Sequence, residues 1–138
     1  LRLSLDLADQ EPFTVYAVED RLVQVFQNLL SNARSFSPRG GEIVIRVARS
    51  GGEIRIEIED QGPGVAEELR EAIFERFHTL RPASEPFGTH SGLGLSISRQ
   101  ITDAHGGTIT CTNRQTEDGS VEGARFTVRL PVAADGEK

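Results

Sequence analysis

Residues 42–64 read EIVIRVARSGGEIRIEIEDQGPG, and this stretch decides the fold. Ile43, Ile45 and Val47 alternate along one face, Ser50-Gly51-Gly52 turns the chain, and Ile54, Ile56 and Ile58 alternate back. Period-two alternation on both sides of a glycine turn predicts a β-hairpin with one half-buried face. The second strand stops at Asp60, where Gly62, Pro63 and Gly64 break the pattern.

Upstream, residues 1–8 and 13–18 form two further alternating runs separated by Gln-Glu-Pro, with Leu1, Leu3, Leu5 and Leu7 on one face. Asp20 reads as the N-cap of a helix whose apolar stripe is Leu22, Val25, Phe26, Leu29, Leu30 and Ala33. Pro38, Gly40 and Gly41 end it. Downstream, residues 66–77 can form a short helix. Residues 79–91 carry Pro82, Pro86 and Gly88 with little periodicity and read as a long loop, the kind that serves as a lid or binding segment. A second helix is expected over 93–105, stopped by Gly106-Gly107. Residues 108–113 and 124–131 read as closing strands, and 132–138 as a frayed tail. Roughly six strands and two or three helices result, clustered as hairpins. The simplest layering is an α/β (α+β) two-layer sandwich, with a mixed, mostly antiparallel sheet and helices on one face.

The bulk numbers suit one soluble domain: 138 residues, 37% hydrophobic and 26% charged. A net charge of −6 speaks against a nucleic-acid surface, which needs clustered Lys and Arg. No apolar run is long enough to span a bilayer. With no methionine at its start and no secretory signal, the chain reads as a piece of a larger protein. The single cysteine, Cys111, precludes an internal disulfide framework, fits a reducing compartment, and sits in a strand as a packing residue.

Three elements carry chemistry. On a helical wheel of about 100° per residue, Asn28, Asn32 and Ser35 line one edge of the apolar stripe, with Phe36 at its border and Arg34 on the opposite side. Such asparagines are either held by the fold within reach of a ligand or simply solvated. Asp60 with Gly62 and Gly64 is either a ligand-binding carboxylate with close backbone approach or a tight surface turn. Residues 88–95, GTHSGLGL, run straight into a helix and would present unpaired amides to an anion. They are neither a lysine-bearing P-loop nor a dinucleotide fingerprint.

In this order the chain resembles the catalytic domain of histidine kinases, within the gyrase, HSP90, histidine kinase and MutL superfamily. The N box resembles residues 27–33 (QNLLSNA), the first glycine box 60–64 (DQGPG), the F box 73–77 (IFERF) and the second glycine box 88–95. Residues 105–107 (HGG) and 126–131 (FTVRLP) also fit. Residues 34–38 and 87–100 are similar to the alphaproteobacterial envelope and acid sensors of the ChvG or ExoS type.

The resemblance implies a Bergerat-type ATP-binding domain over residues 1–131. Asn32 would hold Mg2+, with Asn28 supporting it or the phosphates as the second catalytic residue. Asp60 would bind the adenine amine, Gly62 and Gly64 would admit base and sugar, and Phe36 would pack beside the adenine. Gly88, Gly92, Leu93, Gly94 and Leu95 would meet the phosphates beneath a lid over 79–91. Ser35 stands where the family often has a lysine, which leaves Arg76 and Arg81 as the cations for phosphate, or as solvated surface arginines. Of the three histidines, none lies in a phosphoacceptor-like helix with an acidic neighbour; His78 and His90 read as structural or solvated, and His105 as a helix-end residue.

The implied activity is transfer of the γ-phosphoryl group of ATP to a histidine on a separate helical dimerisation domain. A homodimeric, membrane-anchored parent with this domain in the cytoplasm is implied, and a response regulator as partner. The rivals are an ATPase of the gyrase, HSP90 or MutL type, an inactive nucleotide-sensing or docking module, and an anti-sigma serine kinase. Intact boxes speak against the inactive module. Asn28, standing where the ATPases carry a glutamate base, speaks against the ATPase.

Overall fold

The computed structural model of the chain describes residues 2–7, 19–38, 40–50, 52–75 and 94–131. In chain order they form β1 (Arg2–Leu7), α1 (Glu19–Phe36), β2 (Glu42–Ser50), β3 (Glu53–Glu59), two 3-10 turns (Glu67–Leu69 and Ala72–Phe74), α2 (Gly94–Ala104), β4 (Thr108–Gln115) and β5 (Val121–Pro131). The five strands make one sheet in the order β1-β2-β3-β5-β4. The hairpin read from the sequence is β2–β3, with Ile45 opposite Ile58 and Val47 opposite Ile56. β3 and β4 both pair antiparallel with β5, while β1 runs parallel to β2 with Leu3 opposite Ile43. A parallel pair needs a crossover, and α1 lies within it. The sheet is therefore mixed and mostly antiparallel, as expected.

One face of the sheet builds the core. Ile54, Ile58, Phe126, Val128 and Leu130 are at most 2% exposed, and Val25, Leu29 and Ala33 of α1 bury against the same cluster as Ile101 of α2. The helical stripe read from the sequence is thus the buried one, and both helices cover one face. Cys111 lies in this core, and burial pushes its thiol up to about 12, consistent with a packing role. His105 sets Nδ1 2.7 Å from the Ile101 carbonyl, a contact that closes the end of α2.

Strand alternation sends charge to the other face. Glu59, only 1% exposed, lies under three guanidiniums: Arg125 Nε is 2.6 Å from Oε2, Arg114 Nε is 3.5 Å from Oε1, and Arg46 also pairs with Oε1. Burial alone would raise this carboxyl, but the hydrogen bonds and charges of Arg125 and Arg46 outweigh it and hold Glu59 below the ordinary value of 4.5. A depressed carboxyl contributes stability above its ordinary value and loses that contribution as pH falls below it. Glu59→Gln should therefore cost about 1–3 kcal/mol at neutral pH, a figure limited by solvent screening of the partly exposed arginines. Thermal melts of wild type and variant should lie apart at neutral pH and converge in acid below 4.5. A gap that stays constant with pH would assign the loss to packing rather than ionisation.

Two expectations are corrected. Of the helix expected over 66–77, the described part, 66–75, forms not one helix but two 3-10 turns, and the chain is extended at Glu75 (ψ 151). Adjacent residues of an α-helix diverge by about 100°. Breaking the helix lets both Ile73 and Phe74 bury, and Phe74 meets Phe126 edge-on at 6.2 Å. Asp20 is not an N-cap, because α1 already includes Glu19; an acid in the first turn still suits the helix dipole. The expected strand over 13–18, the loop over 79–91 and the tail over 132–138 lie outside the described residues. Among the described residues no helix is long and apolar enough to cross a membrane.

Candidate functional site

β3 ends at Glu59, and alternation turns the next side chain, Asp60, inward towards the helices. Asp60 is 2% exposed and tightly held. Its Oδ1 accepts the backbone N–H groups of Gly62 and Ala124, both at 2.9 Å. Its own N–H donates to the Ala124 carbonyl at 3.0 Å. Among the described residues Oδ2 accepts no hydrogen bond, so that oxygen is the one available to a ligand. Burial raises the carboxyl's pKa, while the two backbone N–H groups and the charge of Arg114 act in the opposite direction.

Small residues make this approach possible. A Cβ on Gly123 would lie 1.9 Å from the Asp60 carbonyl oxygen, and one on Gly62 would lie 2.6 Å from the Phe36 carbonyl oxygen. Gly64 has φ +78, a conformation that favours glycine. The loop after it is pinned by Asn113, whose Oδ1 accepts from Val65 N at 2.7 Å and whose Nδ2 donates to the Val65 carbonyl at 2.9 Å. Asn113 thus acts as a side-chain substitute for a strand partner.

Asp60 opens onto a cavity with apolar walls of Phe36, Val65, Ile73, Leu95 and Phe126, bordered by Asn32 and Gly64. A flat heterocycle with an amine at its edge fits such walls and such an acceptor. Asn32 is 6% exposed, and no described residue hydrogen-bonds its amide. The fold therefore places Asn32, Phe36, Asp60, Gly64 and Leu95 around one cavity, with Gly62 packed directly behind Phe36.

Asn28 has a different setting. Its Nδ2 donates to the Gly94 carbonyl at 3.1 Å and to Ser98 Oγ at 3.2 Å, while Ser98 Oγ itself donates to Gly94 O at 2.8 Å. These acceptors fix the orientation of the amide. Asn28 thus braces α1 against the start of α2. Ser98 is fully buried and Thr102 repeats the same back-bond, donating to Ser98 O at 2.7 Å, so the polar face of α2 satisfies itself. Arg34 is exposed and turned from the cavity, as its wheel position requires. Arg76, Arg81, Gly88, Gly92 and Leu93, with His78 and His90, lie outside the described residues.

Sequence reasoning missed Asn113, Gly123 and Arg114 as parts of the site. Gly123 carried a usable signal, because a glycine inside a strand pattern marks close backbone approach. Asn113 and Arg114 carried none, since their partners are about fifty residues away.

Residues 17–134 match the family described as histidine kinase-, DNA gyrase B-, and HSP90-like ATPase. The chain is 51% identical over 121 residues to the sensor protein ChvG of Rhizobium meliloti, covering 87% of this chain and 21% of that protein. It therefore spans about a fifth of the length of that relative. The mycobacterial sensor histidine kinase MprB superposes with a TM-score of 0.80 at 28% identity, over 95% of this chain and 81% of that one. The histidine kinase ThkA, solved in complex with the response regulator protein TrrA, superposes with a TM-score of 0.74 at 30% identity, over 94% of this chain and 33% of that one.

Proposed function

The chain belongs to the histidine kinase-, DNA gyrase B-, and HSP90-like ATPase family, and from that premise we propose that it is the MgATP-binding catalytic domain of a sensor histidine kinase, transferring the γ-phosphoryl group to a histidine on a helical domain of the same protein. The observation that carries this reading is the Asp60 carboxylate, which lines an apolar cavity with Oδ1 locked by two backbone N–H groups and Oδ2 accepting no hydrogen bond from the described residues. That arrangement suits adenine, whose exocyclic amine donates to a carboxylate while its faces rest on apolar walls.

Magnesium fits the donor set. The Asn32 amide lies at the cavity edge without a described protein partner, and its carbonyl is a hard oxygen ligand. Among the described residues no three His, Cys, Asp or Glu groups form a cage. Such a site suits an ion that keeps its waters and is held mainly by phosphate oxygens. When bound, the ion neutralises charge on the transferring phosphate. The chain's own residues bind the base, orient the nucleotide and exclude water from its adenine end.

Asn28 favours the kinase over the ATPase reading. An amide nitrogen committed to Gly94 O and Ser98 Oγ, beside an amide carbonyl, provides no base to deprotonate water. A neutral imidazole needs no such base, because its nitrogen is already nucleophilic. The parent would be a membrane-anchored homodimer with this domain in the cytoplasm and a response regulator downstream. Incubating the domain with radiolabelled ATP, alone and with the helical histidine domain, tests the proposal. Acid-labile label should appear on the histidine domain, with little phosphate release from this domain alone. Rapid phosphate release would favour an ATPase. ATP binding without label would favour a nucleotide-sensing module.

A further inference from the structure

Two consecutive carboxylates leave the end of β3 on opposite faces of the sheet, and one guanidinium touches both residues. Arg114, on β4, donates from Nη1 to the backbone carbonyl of Asp60 at 2.9 Å, and its Nε lies 3.5 Å from Glu59 Oε1. The Asp60 carbonyl sits just beyond the strand, with the backbone of Gly123 pressed directly against it. The fork of Arg114 replaces the strand donor that this carbonyl lacks. Arg114 is in turn held by Glu59, which Arg125 and Arg46 grip from β5 and β2. Side chains from β2, β3, β4 and β5 thus converge, through one guanidinium, on the main chain of the residue whose side chain faces the cavity.

We infer that Arg114 is a positioning residue for adenine recognition: acting from the outer face of the sheet, it fixes the peptide of Asp60 and so the depth and angle of the carboxylate on the inner face. This inference rests on the reading of Asp60 as the acceptor of the adenine amine. A planar fork suits the task, because two of its donors reach two acceptors in fixed geometry. A lysine has one head and cannot span both in the same way.

The test compares MgATP with purine riboside triphosphate, which lacks the 6-amino group, by calorimetry on wild type, Arg114→Gln and Arg114→Lys. Circular dichroism melts fix a temperature at which each variant is folded. Wild type should prefer ATP. Arg114→Gln should shrink that preference by roughly fivefold, and Arg114→Lys by a smaller factor. Adding Arg114→Gln to Asp60→Asn should leave ATP affinity within about twofold of Asp60→Asn alone, because the two act through one contact. Equal weakening of both nucleotides, or additive losses in the double variant, would make Arg114 a support of the fold alone and overturn the inference. If Arg114→Gln does not fold, Arg114→Lys decides by the same ratio and the same cycle. A wild type that binds both nucleotides equally would instead overturn the reading of Asp60 itself, and with it this inference.

Discussion

Asp60→Asn should weaken ATP binding by about 10- to 100-fold, the cost of losing a charged hydrogen-bond acceptor in a buried site. The hydrogen-bonding pattern explains why so small a change should matter. Oδ1 accepts from both Gly62 N and Ala124 N. An asparagine must keep its oxygen there, since its amide nitrogen would otherwise confront two donors. Its NH2 group then faces the cavity and meets the adenine amine donor to donor. Either orientation leaves buried polar groups unpaired. Calorimetry with ATP in magnesium and in EDTA should show the loss in both. Undiminished affinity in Asp60→Asn would remove Asp60 from the site.

Asn32→Ala should act on the metal instead. Phosphoryl transfer to the histidine domain should fall by about 100-fold or more, because misplaced charge neutralisation disturbs the reacting geometry. ATP affinity should fall chiefly in the presence of magnesium, and the residual affinity should match that of wild type in EDTA. The side chain is nearly buried at the cavity edge, and its replacement removes a polar group from the cavity wall. An equal loss of affinity with and without magnesium would indicate that Asn32 shapes the base pocket rather than holding the ion.

Much of this arrangement was legible because it follows from short-range rules. The β2–β3 hairpin is written in alternating isoleucines and a Ser-Gly-Gly turn, and α1 in a helical stripe. Asp60 and its glycines followed from the abrupt end of that alternation. Over residues 66–75 composition permits a helix that the chain does not form. Its actual path is set by Asn113 gripping Val65 and by Phe74 reaching Phe126. Nor does sequence alone pair β1 with β2 in parallel, since that choice depends on where α1 carries the chain. The amide of Asn28 illustrates the same limit. Its helical position was evident, but its partners Gly94 and Ser98 are 66 and 70 residues away.

The opposed facing of Glu59 and Asp60 also constrains how this stretch can drift in length. Inserting or deleting one residue in β3 would exchange the two carboxylates between faces. The longer side chain would enter the cavity, and the shorter one would fall beneath Arg46, Arg114 and Arg125 without reaching them. Nucleotide recognition and the outer ion network would fail together. Residues added in the turn that precedes β3 would instead leave the parity of the strand intact.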